Sequence, residues 1–113
     1  MMKFFDFKCA YSGEDIGGNN EDDRRTIDHI FCLDNGGLNE VWNLVPMLKS
    51  YNSSKKNKVP MEWYLKQDFY SEDRLKKIIE WQIYAYNKWA TEEDENLILI
   101  IDIMEEKNYE EKR

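Results

Sequence analysis

Four side chains in the middle of the chain carry groups that could do chemistry together: Asp28 and His29 side by side, Asn43 fourteen residues after the histidine, and Asn52 nine further on. His29 is the only histidine among the 113 residues. A lone histidine at a strand end usually needs no more than a local hydrogen bond, so its neighbours decide how it is read. Carboxylate and amide oxygens are hard donors of the kind Mg²⁺ accepts, binding through few protein groups and keeping several waters. A free imidazole titrates at about pH 6.5, so its neutral form can take a proton from water near neutrality. Just past the second asparagine stand Lys55, Lys56 and Lys58, with Lys49 a little before it. Ammonium groups of this sort hold phosphate as point charges. Together these types suit metal-assisted hydrolysis of a phosphodiester.

Such a pocket needs a strand, a loop, a second strand and a short helix to bring its members together. RTIDHI with its neighbours (24–30) has strand character, and FCLDNGGLNE (31–40) reads as a loop in which Gly36 and Gly37 permit positive φ. WNLVPM (42–47) is a second short strand, begun by Trp42 and Asn43, with Pro46 suited to an edge or terminus. LKSYNSSKK then reads as a short polar helix. Neighbouring residues on a regular strand point to opposite faces, so Asp28 and His29 can share a site only where the strand bends or ends.

These residues resemble the HNH endonucleases, also described as the ββα-metal or His-metal finger group. The run DHIFCLDNGGLNEVWNLVPMLKSYNSSKK matches the family order of Asp-His, a Gly-Gly loop, Asn, and a helical Asn followed by Lys. CAYSGEDI, beginning at Cys9, looks like the Cys-x-x-Ser/Cys-Gly stretch that precedes the motif, including in RNA-guided type II CRISPR effectors. The resemblance covers residues 9–58. It implies an α+β fold: a ββα-metal finger core of short antiparallel strands plus a helix over 1–59, followed by C-terminal α-helices over 60–113 packed on the same single domain. It further implies that His29 is the general base and that Asp28 and Asn52 hold one Mg²⁺ or Mn²⁺. Asn43 would tie the loop through its backbone, and Lys55 would touch phosphate, with Lys49, Lys56 and Lys58 beside it on DNA. Many relatives carry two Cys-x-x-Cys pairs around a structural zinc. Here the first reads Cys9-Ala10-Tyr11-Ser12, and Leu48 and Tyr51 replace the second. One thiol cannot build a Cys₄ site. No structural zinc is expected, and apolar packing of Cys9 against Leu48 and Tyr51 takes its place; Cys32, where relatives often have proline, is read as structural.

The bulk composition tests that reading. The net charge of −7 opposes a nucleic-acid partner, but it is unevenly spread. Residues 1–60 hold eight Lys/Arg against nine Asp/Glu, net −1, and residues 61–113 hold eight against fourteen, net −6. KSYNSSKKNK (49–58) has four lysines and no acid. Local charge, not the total, decides whether phosphate can dock. Two cysteines are too few for a disulfide scaffold and suit a reducing, cytoplasmic setting. MMKFFDFK is broken by charge too early for a signal peptide, and LILII (97–101) is too short to span a bilayer, so no membrane association is expected.

Outside the motif, KFFDFKCAY (3–11) reads as extended and SGEDIGGNNEDD (12–23) as loop. Pro60 opens a helix over MEWYLKQ, and Ser71 caps a longer one reaching about Ala90, with Leu75, Ile78, Ile79, Tyr86 and Trp89 as its stripe and Ile83 nearby. Thr91 caps a third helix carrying LILIIDIM. The acidic helices supply the alternatives: a binding module of this fold with weak or no cleavage that docks a protein or nucleic acid, or a homodimer formed through the same surface.

Overall fold

The computed structural model describes residues 1–16, 25–91 and 100. Strand β1 (Arg25–His29) pairs antiparallel with β2 (Leu44–Leu48), with Thr26 opposite Met47, Asp28 opposite Val45 and His29 opposite Leu44. Helices α1 (Lys49–Lys55), α2 (Pro60–Tyr64) and α3 (Glu72–Trp89) follow, which makes the fold α+β with a ββα unit at its front. Two strands alone are marginal in water, so the helices packed on them supply the missing burial.

Alternation along β1 sends Thr26 and Asp28 to one face and Ile27 and His29 to the other. Asp28 is buried while Ile27 is exposed. Pro46 fits within β2 because its carbonyl accepts from Ala10 N–H, on the side away from β1. The nitrogen of the same residue points that way too, so the proline removes no bond from the β1 ladder.

The connection between the strands runs through two 3₁₀ turns, Leu33–Asn35 and Val41–Asn43. Asn43 therefore closes the second turn immediately before β2 instead of starting the strand. Gly36 has φ 88°, and at Gly37 a Cβ would fall 1.8 Å from the Phe31 carbonyl oxygen. That approach leaves no room for a side chain and explains the Gly-Gly pair.

The Ser71 hydroxyl caps α3 by accepting from Arg74 N–H at 3.2 Å, and Glu72 and Asp73 occupy its first turn. Its buried face is Leu75, Ile78, Trp81, Gln82 and Ala85. Leu75 and Ile78 keep their expected place, Ile79 and Tyr86 are half-buried, and Ile83 and Trp89 are exposed, so the stripe runs through Trp81 and Gln82 instead. Trp81 Nε1 donates to Leu44 O at 2.8 Å, fastening the helix to the start of β2. Gln82 is also buried in the core, where its Oε1 accepts from Ile100 N–H at 3.1 Å and its Nε2 has no partner among the described residues.

The N-terminal stretch differs from the extended segment expected of it. Residues 2–7 form turns, with Asp6 and Phe7 at φ 54° and 56°, and only the Lys8–Asp15 bridge is strand-like. The cause is tertiary: Phe4 and Phe5 fold onto Trp81 with ring centroids 5.2 and 6.0 Å away, and Lys77 pairs with Asp6 at 2.9 Å. Burial of two aromatic rings outweighs β-propensity here. The helix expected after Thr91 lies outside the described residues apart from Ile100, which is buried. Among the described residues no helix is long and apolar enough to cross a membrane.

Candidate active site

Helix α1 lies over the Thr26/Asp28 face of β1 and meets it in two polar contacts. Residues three apart on a helix stand one above the other, so Asn52 and Lys55 face the strand together. Asn52 Nδ2 donates to Thr26 Oγ1 at 3.0 Å. Lys55 Nζ lies 3.0 Å from Asp28 Oδ2 and 3.3 Å from Oδ1, and also donates to His29 O at 3.0 Å. Tyr11 Oη adds a donor to Asp28 Oδ2 at 3.3 Å.

Asp28 is 4% exposed, and burial pushes its carboxyl pKa up, while the Lys55 ammonium and the Tyr11 hydroxyl pull against that rise. Burial also drives the Tyr11 phenol well above its ordinary range, and the Asp28 charge adds to this, so Tyr11 remains a proton donor to the carboxylate. A carboxylate has about four lone-pair sites. The donors from Lys55 and Tyr11 do not exhaust them.

His29 ends β1, and its Nε2 lies 2.9 Å from Asn39 Oδ1. An amide oxygen only accepts, so Nε2 carries the hydrogen and Nδ1 keeps the lone pair in the neutral ring. The loop holding Asn39 is stitched by Asn43, which is buried. Its Nδ2 donates to Phe31 O at 2.9 Å and Leu38 O at 2.7 Å, and its Oδ1 accepts from Phe31 N–H at 2.9 Å. The Asn43 carbonyl takes Ile30 N–H at 2.8 Å. At the loop's outer end Asn35 Nδ2 donates to Asn57 O at 2.6 Å, joining it to the chain just past α1.

These elements enclose an open cavity of about 360 Å³ lined by Ile27, Asp28, His29, Cys32, Leu33, Asp34, Asn52 and Lys56. Asp28, His29 and Asn52 therefore meet in one space even though Asp28 and His29 leave β1 on opposite faces, because the strand ends at the histidine. Asn43 stands outside it, behind the loop. The four lysines divide. Lys49, Lys56 and Lys58 are exposed, with Lys56 at the cavity, whereas Lys55 is fully buried against Asp28. Lys55 thus differs from its expected place as a phosphate contact, because the buried carboxylate draws its ammonium inward.

Tyr11, Thr26 and Asn39 touch these side chains although the motif does not mark them. Asn39 had a faint signal, a second amide just beyond the Gly-Gly turn; Tyr11 and Thr26 had none, since their partners are distant in the chain. Cys9 is buried in the same core as Leu48, with Tyr51 packed against that core, and Cys32 is half-buried. No group of three or more His, Cys, Asp or Glu side chains stands ready for a metal among the described residues. The donor set that fits a cation is smaller and harder. The Asp28 carboxylate and the Asn52 amide both line the open cavity, with Asp34 also at its wall, and hard oxygen donors with room for water are what Mg²⁺ accepts.

The sequence that builds this site is similar to that of a known class. Residues 9–61 match the profile of the HNH endonuclease family. The chain is also similar to a Bacillus subtilis (strain 168) protein named "SPbeta prophage-derived putative HNH endonuclease YoqL", at 35% identity over 87 residues. That likeness covers 69% of this chain and 36% of the relative, so the chain spans little more than a third of the relative's length.

Proposed function

We propose that this chain is a metal-dependent DNA endonuclease that hydrolyses phosphodiester bonds. The observation that supports the reading is that Asp28, His29 and Asn52 line one cavity. When bound, a Mg²⁺ or Mn²⁺ ion would polarise the phosphate and neutralise charge growing on the leaving oxygen. Asp28 and Asn52 are the residues that would hold it.

His29 Nδ1 takes the proton of the attacking water as the new bond to phosphorus forms, and the bond to the leaving oxygen breaks on the far side. Asn39 keeps the ring in the tautomer that leaves Nδ1 free, and Asn43 keeps the loop that carries Asn39 in place. Lys55 offsets the Asp28 charge and positions it. Lys49, Lys56 and Lys58 lie on the exposed side of α1 and beyond it, where the DNA backbone can dock. Because Cys9 is taken up in apolar packing, no structural zinc is required. Two unpaired thiols suit a cytoplasmic setting.

The direct test is nicking of supercoiled plasmid by the purified chain. Cleavage with Mg²⁺ or Mn²⁺ that stops on adding EDTA is the expected result. DNA binding with no cleavage under any divalent metal would leave a binding module of the same fold. Elemental analysis of the same sample is expected to find less than stoichiometric zinc.

A further inference from the structure

We infer that Thr26, a residue outside the motif, is a positioning residue that selects which end of the Asn52 amide faces the metal. The inference rests on the metal-dependent reading above and extends it to a side chain with no assigned role.

A single hydrogen decides the matter. The Thr26 hydroxyl donates to Met47 O, directly across the sheet, at 2.7 Å. A backbone carbonyl can only accept, so the one hydroxyl hydrogen is committed there. Toward Asn52 the Thr26 oxygen has only lone pairs left. It must accept, and it does so from Asn52 Nδ2 at 3.0 Å. Turning the amide over would set two oxygens against each other with no hydrogen between them.

The NH₂ end of Asn52 is therefore held against the strand, and its Oδ1 is the end left for the cavity that the residue lines. For a cation this is decisive. An amide oxygen is a hard ligand, whereas an amide NH₂ facing the same point repels a dication. A β-branched side chain adds to the effect, since Thr has few χ1 choices and its hydroxyl direction is well fixed. Met47 O, Thr26 and Asn52 form a relay in which the sheet register sets the presentation of a ligand on α1. This resembles the outer-sphere partners that orient ligands in other metal sites, whose loss costs about 10- to 100-fold in metal affinity.

The experiment measures Mn²⁺ affinity of the full chain, without DNA, by electron paramagnetic resonance, together with melting temperature and plasmid nicking. Thr26→Val keeps the shape and removes the acceptor; it should weaken Mn²⁺ binding about 10- to 100-fold. Thr26→Ser keeps the hydroxyl and should stay within about threefold of wild type, which a merely structural role for the threonine methyl would not give. Asn52→Asp supplies the control, because both ends of a carboxylate are oxygens. On that background Thr26→Val should no longer weaken Mn²⁺ binding, the non-additivity expected of coupled neighbours. Wild-type nicking and Mn²⁺ binding with unchanged affinity in Thr26→Val would overturn the role of Thr26 alone. A wild-type chain that neither binds Mn²⁺ nor nicks would overturn this inference and the nuclease reading together. Equal weakening by Thr26→Val in the wild-type chain and in Asn52→Asp would also overturn it, since the amide's orientation would then be irrelevant.

Discussion

Helices α1 and α3 both brace the two-stranded sheet and its connection, but by different physics. α3 packs against the Val41–Asn43 turn, buries Leu75, Ile78, Trp81 and Ala85 in the core, and is fastened to the start of β2 by the hydrogen bond from Trp81 to Leu44. α1 meets β1 through Asn52–Thr26 and Lys55–Asp28, polar pairs withdrawn wholly or partly from water. Apolar contact is non-directional and contributes in proportion to area buried. A buried ion pair contributes little net stability because desolvation offsets the attraction, and the raised pKa of Asp28 shows burial outweighing its partners. The polar side is thus poorly explained as a way to hold the fold and well explained as a way to fix atoms. The proposed metal ligands Asp28 and Asn52 lie on that side.

Trp81→Ala should break the apolar side most severely, by about 3–5 kcal/mol for a fully buried ring. Nicking per folded molecule should stay near wild type, as a denaturation curve and an assay on the same sample will show. Lys55→Met should cost a similar amount, about 3–5 kcal/mol, because it leaves Asp28 buried without its cation. Here a second change reverses the sign: Asp28→Asn added to Lys55→Met should recover most of the stability while nicking stays absent. A double variant as unstable as the single would mean that the pair holds the fold, and the contrast between the two helices would fail.

Asn39→Ala should slow nicking about 10-fold, the lower end of what is lost with an orienting partner, and leave the melting temperature within a degree or two. Asn39→Asp, which keeps an acceptor for His29 Nε2–H, should restore most of the rate. The smallest effects belong to the surface. Neutralising Lys49, Lys56 or Lys58 singly should lower the slope of log affinity against log salt by about 0.9 for each phosphate no longer held. Lys55→Met, measured on folded protein, should leave that slope unchanged. If it lowers the slope as the others do, the ammonium reaches DNA and the burial of Lys55 is not its working state.

Much of this arrangement was legible in the chain because its signals were local. Asp28-His29, the Gly-Gly turn and two asparagines at set distances mark the loop and its ends, and Ser71 with two acids after it marks the start of α3. What could not be read depends on partners far away. Lys55 stands in a lysine-rich run that reads as a solvated face, and only Asp28, brought beside it by folding, turns it inward. Gln82 reads as polar and exposed until Ile100 N–H supplies its partner. Phe4 and Phe5 have strand character locally, yet Trp81 draws them into a turn. Thr26 looks like any strand residue until the register with Met47 commits its hydrogen.

The central claim is that His29 acts in chemistry and not in folding, and His29→Ala tests it when melting temperature and plasmid nicking are measured on one preparation with Mg²⁺. His29 ends a strand, and its ring bonds to the loop residue Asn39, so the melting temperature should hold while the rate falls about 10²- to 10⁴-fold, the usual scale for a positioned base. A folded His29→Ala protein that nicks at the wild-type rate would contradict the mechanism.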